Sequence, residues 1–142
     1  MSYIKIVIHC VWGTKNREPI LIKAKRQQLL DHIRENAKSK DIYIDTINSH
    51  VDHVHCLISL GADQSIAKVM QLIKGEASYW ANKEKLFAHK LEWAEDYFAA
   101  SVSESALGKV RDYIKNQEEH HQKVSFTEEY EKFIKSYNFQ LG

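Results

Sequence analysis

The stretch His50-Val51-Asp52-His53-Val54-His55 places three imidazoles and a carboxylate directly before the apolar run Cys56–Leu60. On a strand, side chains alternate between faces, so His53 and His55 point the same way and lie roughly 7 Å apart at a rise of ~3.3 Å per residue. Two imidazoles aimed in parallel can share one ion. Neither Cys10 nor Cys56 falls on that face, which removes a zinc-thiolate set. A magnesium or manganese ion, with oxygen ligands completing its shell, fits a two-histidine half-site better. The plainer reading is a pair of polar residues at a strand end, with Asp52 in the turn and His50 in the loop.

A second constellation lies in Val110-Arg111-Asp112-Tyr113-Ile114-Lys115-Asn116-Gln117. On a helix, Tyr113 and Gln117 are one turn apart on one face, so a phenol and an amide oxygen are presented together. Tyr113 borders the apolar stripe of Leu107, Val110 and Ile114, which makes it either core filler or a nucleophile. A phenol with a pKa of about 10 attacks phosphorus only when helped by a base or a metal-polarised phosphate. His120 and His121 follow within two turns. They read as helix-end or surface residues favourable to the helix dipole, with a role as extra ligands as the alternative.

These groups need a scaffold, and 142 residues with 44% hydrophobic content suffice for one domain, here residues 1–142. Lys and Arg total 20 against 19 for Asp and Glu, a net charge of +1, so any site for a polyanion must be local. Two cysteines inside apolar runs do not form a disulfide framework, and a reducing cytoplasm is expected. The opening run carries Lys5 and falls short of the ~20 apolar residues of a membrane span, so no targeting or membrane segment is expected.

The Ile- and Val-rich run Tyr3–Trp12 reads as a strand, and Ile22, Leu29, Ile33 and Ala37 recur at helical spacing after Pro19. Asp41–His50 and His53–Leu60 read as a hairpin, with Val54, Cys56, Ile58 and Leu60 facing away from the histidines, which makes the second of these strands central. Asp63 or Ser65 can cap a helix through Ile66, Val69, Ile73, Ala77 and Trp80. Tyr97–Ser103 reads as a fourth strand. Ser103 can cap a helix running to about Glu119, and Ser125 with Glu128 matches a capping box before a stripe of Phe126, Tyr130 and Phe133. The order strand, helix, strand, strand, helix, strand is ferredoxin-like. The expected fold is therefore α+β, an antiparallel sheet with helices on one face plus a tyrosine-bearing helix and a C-terminal helix.

Taken together, "DHVHCLISL", "LIKGEAS", "YFAASVS" and "VRDYIKNQEEHHQKVSFTEEYEKFI" resemble the insertion-sequence-200-like single-tyrosine transposases. These belong to the histidine-hydrophobic-histidine endonucleases, which include the enzymes of repetitive extragenic palindromes. The resemblance implies cleavage and rejoining of single-stranded DNA with a magnesium or manganese ion on His53 and His55, and Gln117 as third ligand. It further implies Tyr113 as the nucleophile that leaves a 5′-phosphotyrosine and a free 3′-hydroxyl. A homodimer in which the tyrosine helix of one subunit completes the histidine site of the other is expected, as is recognition of a DNA hairpin.

Candidate DNA contacts are Lys15 and Arg17 after Trp12, and Lys74 in "LIKGEAS"; each is equally readable as a solvated charge. Gly108 costs its helix about 1 kcal/mol relative to Ala, which is consistent with hinge freedom near Tyr113. Two other readings use the same residues. One is a hairpin-binding homologue that does not cleave, and the other is a metal-dependent hydrolase in which Tyr113 is structural.

Overall fold

Three runs carrying β-branched residues and a short fourth strand of Phe, Ala and Ser pair into one antiparallel sheet: β1 (Ile6–Gly13), β2 (Tyr43–Ser49), β3 (His53–Leu60) and β4 (Phe98–Ser101), in the order β2-β3-β1-β4. The computed structural model describes residues 2–121 and 124–137. Helices α1 (Lys23–Ser39) and α2 (Ile66–Lys83) connect β1 to β2 and β3 to β4, which is the ferredoxin-like arrangement expected from the element order. Ser65, rather than Asp63, caps α2 by accepting from the Lys68 amide. No described helix is long and apolar enough to cross a membrane.

The pleat of the two central strands divides the molecule into two cores. Cys10 and Trp12 of β1, with Val54, Cys56 and Ile58 of β3, pack under α1 and α2 against Leu29, Ile33, Met70, Ile73 and Ala77. Burial pushes the Cys10 thiol up to about 12 and raises that of Cys56, so both behave as small hydrophobes, not ligands. The opposite face carries Val7, His9 and Val11 from β1 and His53, His55 and Leu57 from β3. It is covered by α3 (Leu107–Lys115), α4 (Gln117–His121) and α5 (Phe126–Ser136).

The helix expected to run unbroken from Ser103 to about Glu119 is divided. A 3-10 turn occupies Glu104–Ala106, the Ser103 side chain pairs with Ser105 rather than capping, and α3 stops before Asn116. The cause lies in β2. Asn48 donates its side-chain amide to the carbonyls of Ile114 and Lys115, at 3.0 and 3.1 Å, satisfying acceptors that a continuing helix would have used. Arg111 forks onto Asp45 of the same strand with two bonds of 2.9 and 2.8 Å, and Leu107 and Ile114 bury against Leu57. Thus α3 is docked by two polar clasps and one apolar contact.

The Arg111 guanidinium is the main reason the Asp45 carboxyl titrates below its usual 3.8, against the opposing effect of burial. A depressed folded pKa stabilises above the unfolded value and loses that effect as pH falls through the folded one. Asp45→Asn is therefore expected to lower the melting temperature at pH 7, with the difference from the unsubstituted protein closing as pH drops below about 4. Thermal melts of both proteins from pH 7 to pH 3 check this. A gap that stays constant would remove the clasp from the account of stability.

Candidate active site

Burying His53 and His55 completely in a central strand obliges the protein to give each ring nitrogen a partner. His53 Nδ1–H donates to Asp52 Oδ1 at 2.8 Å, so the turn residue adjoining the strand orients the ring. His55 Nδ1 meets His9 Nε2 at 2.9 Å, across the sheet on β1. Both rings therefore turn Nε2 inward toward one point. A carboxylate, backbone carbonyl or water on the outer nitrogen is the usual means of fixing the tautomer and aim of a metal-binding histidine; here Asp52 serves His53, and the imidazole of His9 takes that place for His55.

Four further side chains reach that point from the helical layer. Gln117, wholly buried as the first residue of α4, sets Oε1 at 3.3 Å from His53 Nε2 and anchors its amide on the Tyr113 carbonyl at 3.0 Å. His121 brings Nε2 within 3.0 Å of the same Gln117 oxygen, its Nδ1 held by the Val124 carbonyl at 2.6 Å. Glu129 of α5 sets Oε1 at 3.0 Å from His55 Nε2, 3.4 Å from His53 Nε2 and 3.3 Å from His121 Nε2. Tyr113 donates its hydroxyl to Glu129 Oε2 and lies 3.4 Å from His120 Nε2.

Electrostatics follow from that packing. Burial would lower the His53 pKa, but the Asp52 and Glu129 carboxylates outweigh it and hold the pKa above the ordinary histidine value. Burial takes His55 down to about 4 despite Glu129, and His9, pressed against His55, down to about 3. Burial and the neighbouring His53 bring His121 to about 4. The Glu129 carboxyl, which burial alone would raise, is brought to about 2 by its bonds from His53 and His55. At neutral pH the centre thus holds His55 and His121 neutral and Glu129 ionised, while the carboxylates favour a proton on His53, which a divalent cation would have to displace to complete this donor set.

His53, His55, Gln117 and Tyr113, singled out from sequence spacing, are brought together. Tyr113 stands beside His55 of the same chain, with ring centroids 5.5 Å apart. His121 faces inward at 1% side-chain exposure, contrary to the surface reading, because the break at Asn116 swings α4 toward the sheet. His9 and Glu129 went unread. The available signals were an imidazole inside an apolar strand, and a carboxylate three residues after Phe126 and four before Phe133, on that helix's buried stripe.

The basic candidates have other partners. Lys15 pairs with Glu92 at 3.5 Å and stays exposed, whereas the half-buried Lys74 donates to the carbonyls of Ala94 and Glu95 at 2.8 and 3.3 Å. Arg17 lies over the rings of Phe126 and Tyr130, at 4.8 and 5.7 Å. Two clefts, of about 280 and 460 Å³, flank Tyr113 and His120 and are edged by Lys132 and Lys109 respectively.

A family model described as "Transposase IS200 like" matches residues 2–117. The ISDra2 transposase TnpA of Deinococcus radiodurans is 30% identical over 115 residues, covering 77% of this chain and 81% of that protein. Among solved structures, a candidate transposase from Deinococcus radiodurans R1 superposes with a TM-score of 0.65 at 22% identity, over 82% of this chain and 93% of that one. A REP-associated tyrosine transposase bound to a REP hairpin superposes with a TM-score of 0.66 at 18% identity, over 87% of this chain and 73% of that one.

The lid over this centre is locked by one close approach. A Cβ added at Gly13 would stand 2.6 Å from Phe126 Cε2, and that ring cannot give way freely because it stacks on His53 at 4.0 Å and lies under Arg17. Gly13→Ala is expected to destabilise by about 1–3 kcal/mol through overpacking. In a Phe126→Ala background the same change should cost much less. Denaturant unfolding of the four proteins in this double-mutant cycle checks the coupling; additive effects would refute the contact.

Proposed function

The chain belongs to the IS200-like transposases, and from that membership we propose that it cleaves and rejoins single-stranded DNA through a Tyr113 phosphotyrosine at a divalent-cation site. The observation that carries this reading is the convergence of His53 Nε2, His55 Nε2 and Gln117 Oε1 beside the Tyr113 hydroxyl. The donor set fits the cation: two histidines whose outer nitrogens are engaged, and an uncharged amide oxygen on the same point. Magnesium or manganese held there would polarise the scissile phosphate and offset charge growing on its oxygens.

The rest falls to the protein's own groups. Two acceptors face the Tyr113 hydroxyl, Glu129 Oε2 and His120 Nε2, and they take the phenol proton as the phenolic oxygen bonds to phosphorus. The bond from phosphorus to the departing 3′-oxygen breaks, and that oxygen leaves as a 3′-hydroxyl by taking up, directly or through water, the equivalent of the proton the phenol gave up. Because the phosphotyrosine conserves the bond energy, a 3′-hydroxyl can reverse the step and join strands without a nucleotide cofactor. The clefts on either side of Tyr113, edged by Lys109 and Lys132, provide a path for the strand.

Exposed Lys15 and Arg17 are proposed phosphate contacts outside these clefts, while Lys74 has its ammonium engaged within the fold. The REP-associated relative was solved on a REP hairpin, which supports hairpin-containing DNA as the substrate class here. A homodimer is retained from the resemblance. A second reading, hairpin binding without cleavage, draws on the burial of His53, His55 and Gln117 beneath α5.

Incubation with end-labelled, hairpin-containing single-stranded DNA and manganese is expected to yield an SDS-resistant adduct. Tyr113→Phe and His55→Ala should each abolish it, and EDTA should do the same to the unsubstituted protein. Hairpin binding without any adduct would favour the second reading, and cleavage surviving Tyr113→Phe would exclude the tyrosine mechanism.

A further inference from the structure

Three imidazoles in the buried centre share one construction. The outer nitrogen of His53 is held by the Asp52 carboxylate, that of His55 by His9, and that of His121 by the Val124 carbonyl. In each case Nε2 is left to converge on Glu129 Oε1, at 3.4, 3.0 and 3.3 Å. The ligand atoms of these four residues lie within 4.8 Å of one another. Ligands on a single ion at ~2.0–2.1 Å stand about 3.3 Å apart in a tetrahedron and about 3 Å apart at adjacent octahedral corners. The three distances to Glu129 Oε1 fall near that range.

We propose that Glu129 and His121 join His53, His55 and Gln117 as ligands of the same cation, so that three imidazoles and one carboxylate, beside the one amide oxygen, select a first-row transition dication, manganese to zinc, over magnesium. This rests on the reading of His53 and His55 as a cation site. Both added residues lie beyond residue 117, where the family match ends, and both are placed by features peculiar to the helical layer. Asn48 ends α3 and turns α4 inward, which brings His121 to the centre. The Ser125 cap on the Glu128 amide, with Phe126 wedged between Gly13 and His53, fixes the register of α5 that aims Glu129 at the histidines.

The chemistry of the donors sets the preference. Magnesium dehydrates reluctantly and takes mainly oxygen ligands, whereas imidazole binds progressively better from manganese toward the later first-row ions. Glu129 also carries the Tyr113 hydroxyl on its second oxygen, so the same carboxylate that holds the ion positions the nucleophile beside it.

The test is binding, with no DNA present. Titration of the full chain by calorimetry should give one manganese per protein, bound at least about 100-fold more tightly than magnesium. Glu129→Gln and His121→Ala, each checked for folding by circular dichroism, should weaken manganese by about 10- to 100-fold and narrow the preference over magnesium. Electron spin-echo spectra of manganese on the unsubstituted protein should count three imidazole nitrogens, a measurement that needs no variant to fold. Two nitrogens would overturn the role of His121. Unchanged or tighter binding in Glu129→Gln would overturn that of Glu129 and make it a competitor for the ion's place. Binding that survives His55→Ala would instead overturn the histidine site itself, and this inference with it.

Discussion

A central strand of a covered sheet has no solvent on either side, and β3 commits one of its two faces to imidazoles. That constraint organises half of the molecule. His53 and His55 are fully buried, so each nitrogen must find a partner or leave a costly unsatisfied group. The partners come from four places: the adjoining turn through Asp52, the neighbouring strand through His9, the broken helix through Gln117, and the last helix through Glu129. What looks like a dense polar network is the consequence of placing two rings where water cannot go.

The other face of the same strand does the opposite job with ordinary means. Val54, Cys56 and Ile58 join Cys10 and Trp12 under α1 and α2, giving the sheet a rigid apolar backing. Rigidity on that side is what lets the spacing of His53 and His55 be held on the other, since a ligand pair on a mobile loop would not keep two nitrogens on one point. The tyrosine is positioned by different forces. Asp45 and Asn48 of β2 clasp α3 at Arg111 and at its terminal carbonyls, so Tyr113 is located by polar contacts to an edge strand.

The basic residues divide by burial. Lys74, half-buried, closes the loop at Ala94–Glu95, a structural task that its neighbours in the sequence do not announce. Arg17 covers Phe126 and Tyr130 and so ties the first loop to α5, while Lys109 and Lys132 edge the clefts beside Tyr113. With a net charge of +1, local placement of such cations, not the field of the whole chain, decides where a phosphodiester could lie.

Several features were legible from the residues alone because they depend on neighbours a few positions away. The alternation that separates His53 and His55 from Val54 and Cys56 is a property of the pleat. The Ser65 and Ser125 caps are set within three residues, and the order of strands and helices restricts topology to the ferredoxin-like arrangement. The pairing of Tyr113 with Gln117 also survived the helix break, since the Gln117 amide returns to the Tyr113 carbonyl. Contacts between residues far apart in the chain were settled only by tertiary structure. Asn48 ends α3 from 66 residues away, His9 meets His55 across 46, and Glu129 reaches His55 across 74. No local periodicity encodes those meetings, because each depends on which faces the sheet and helices bury together.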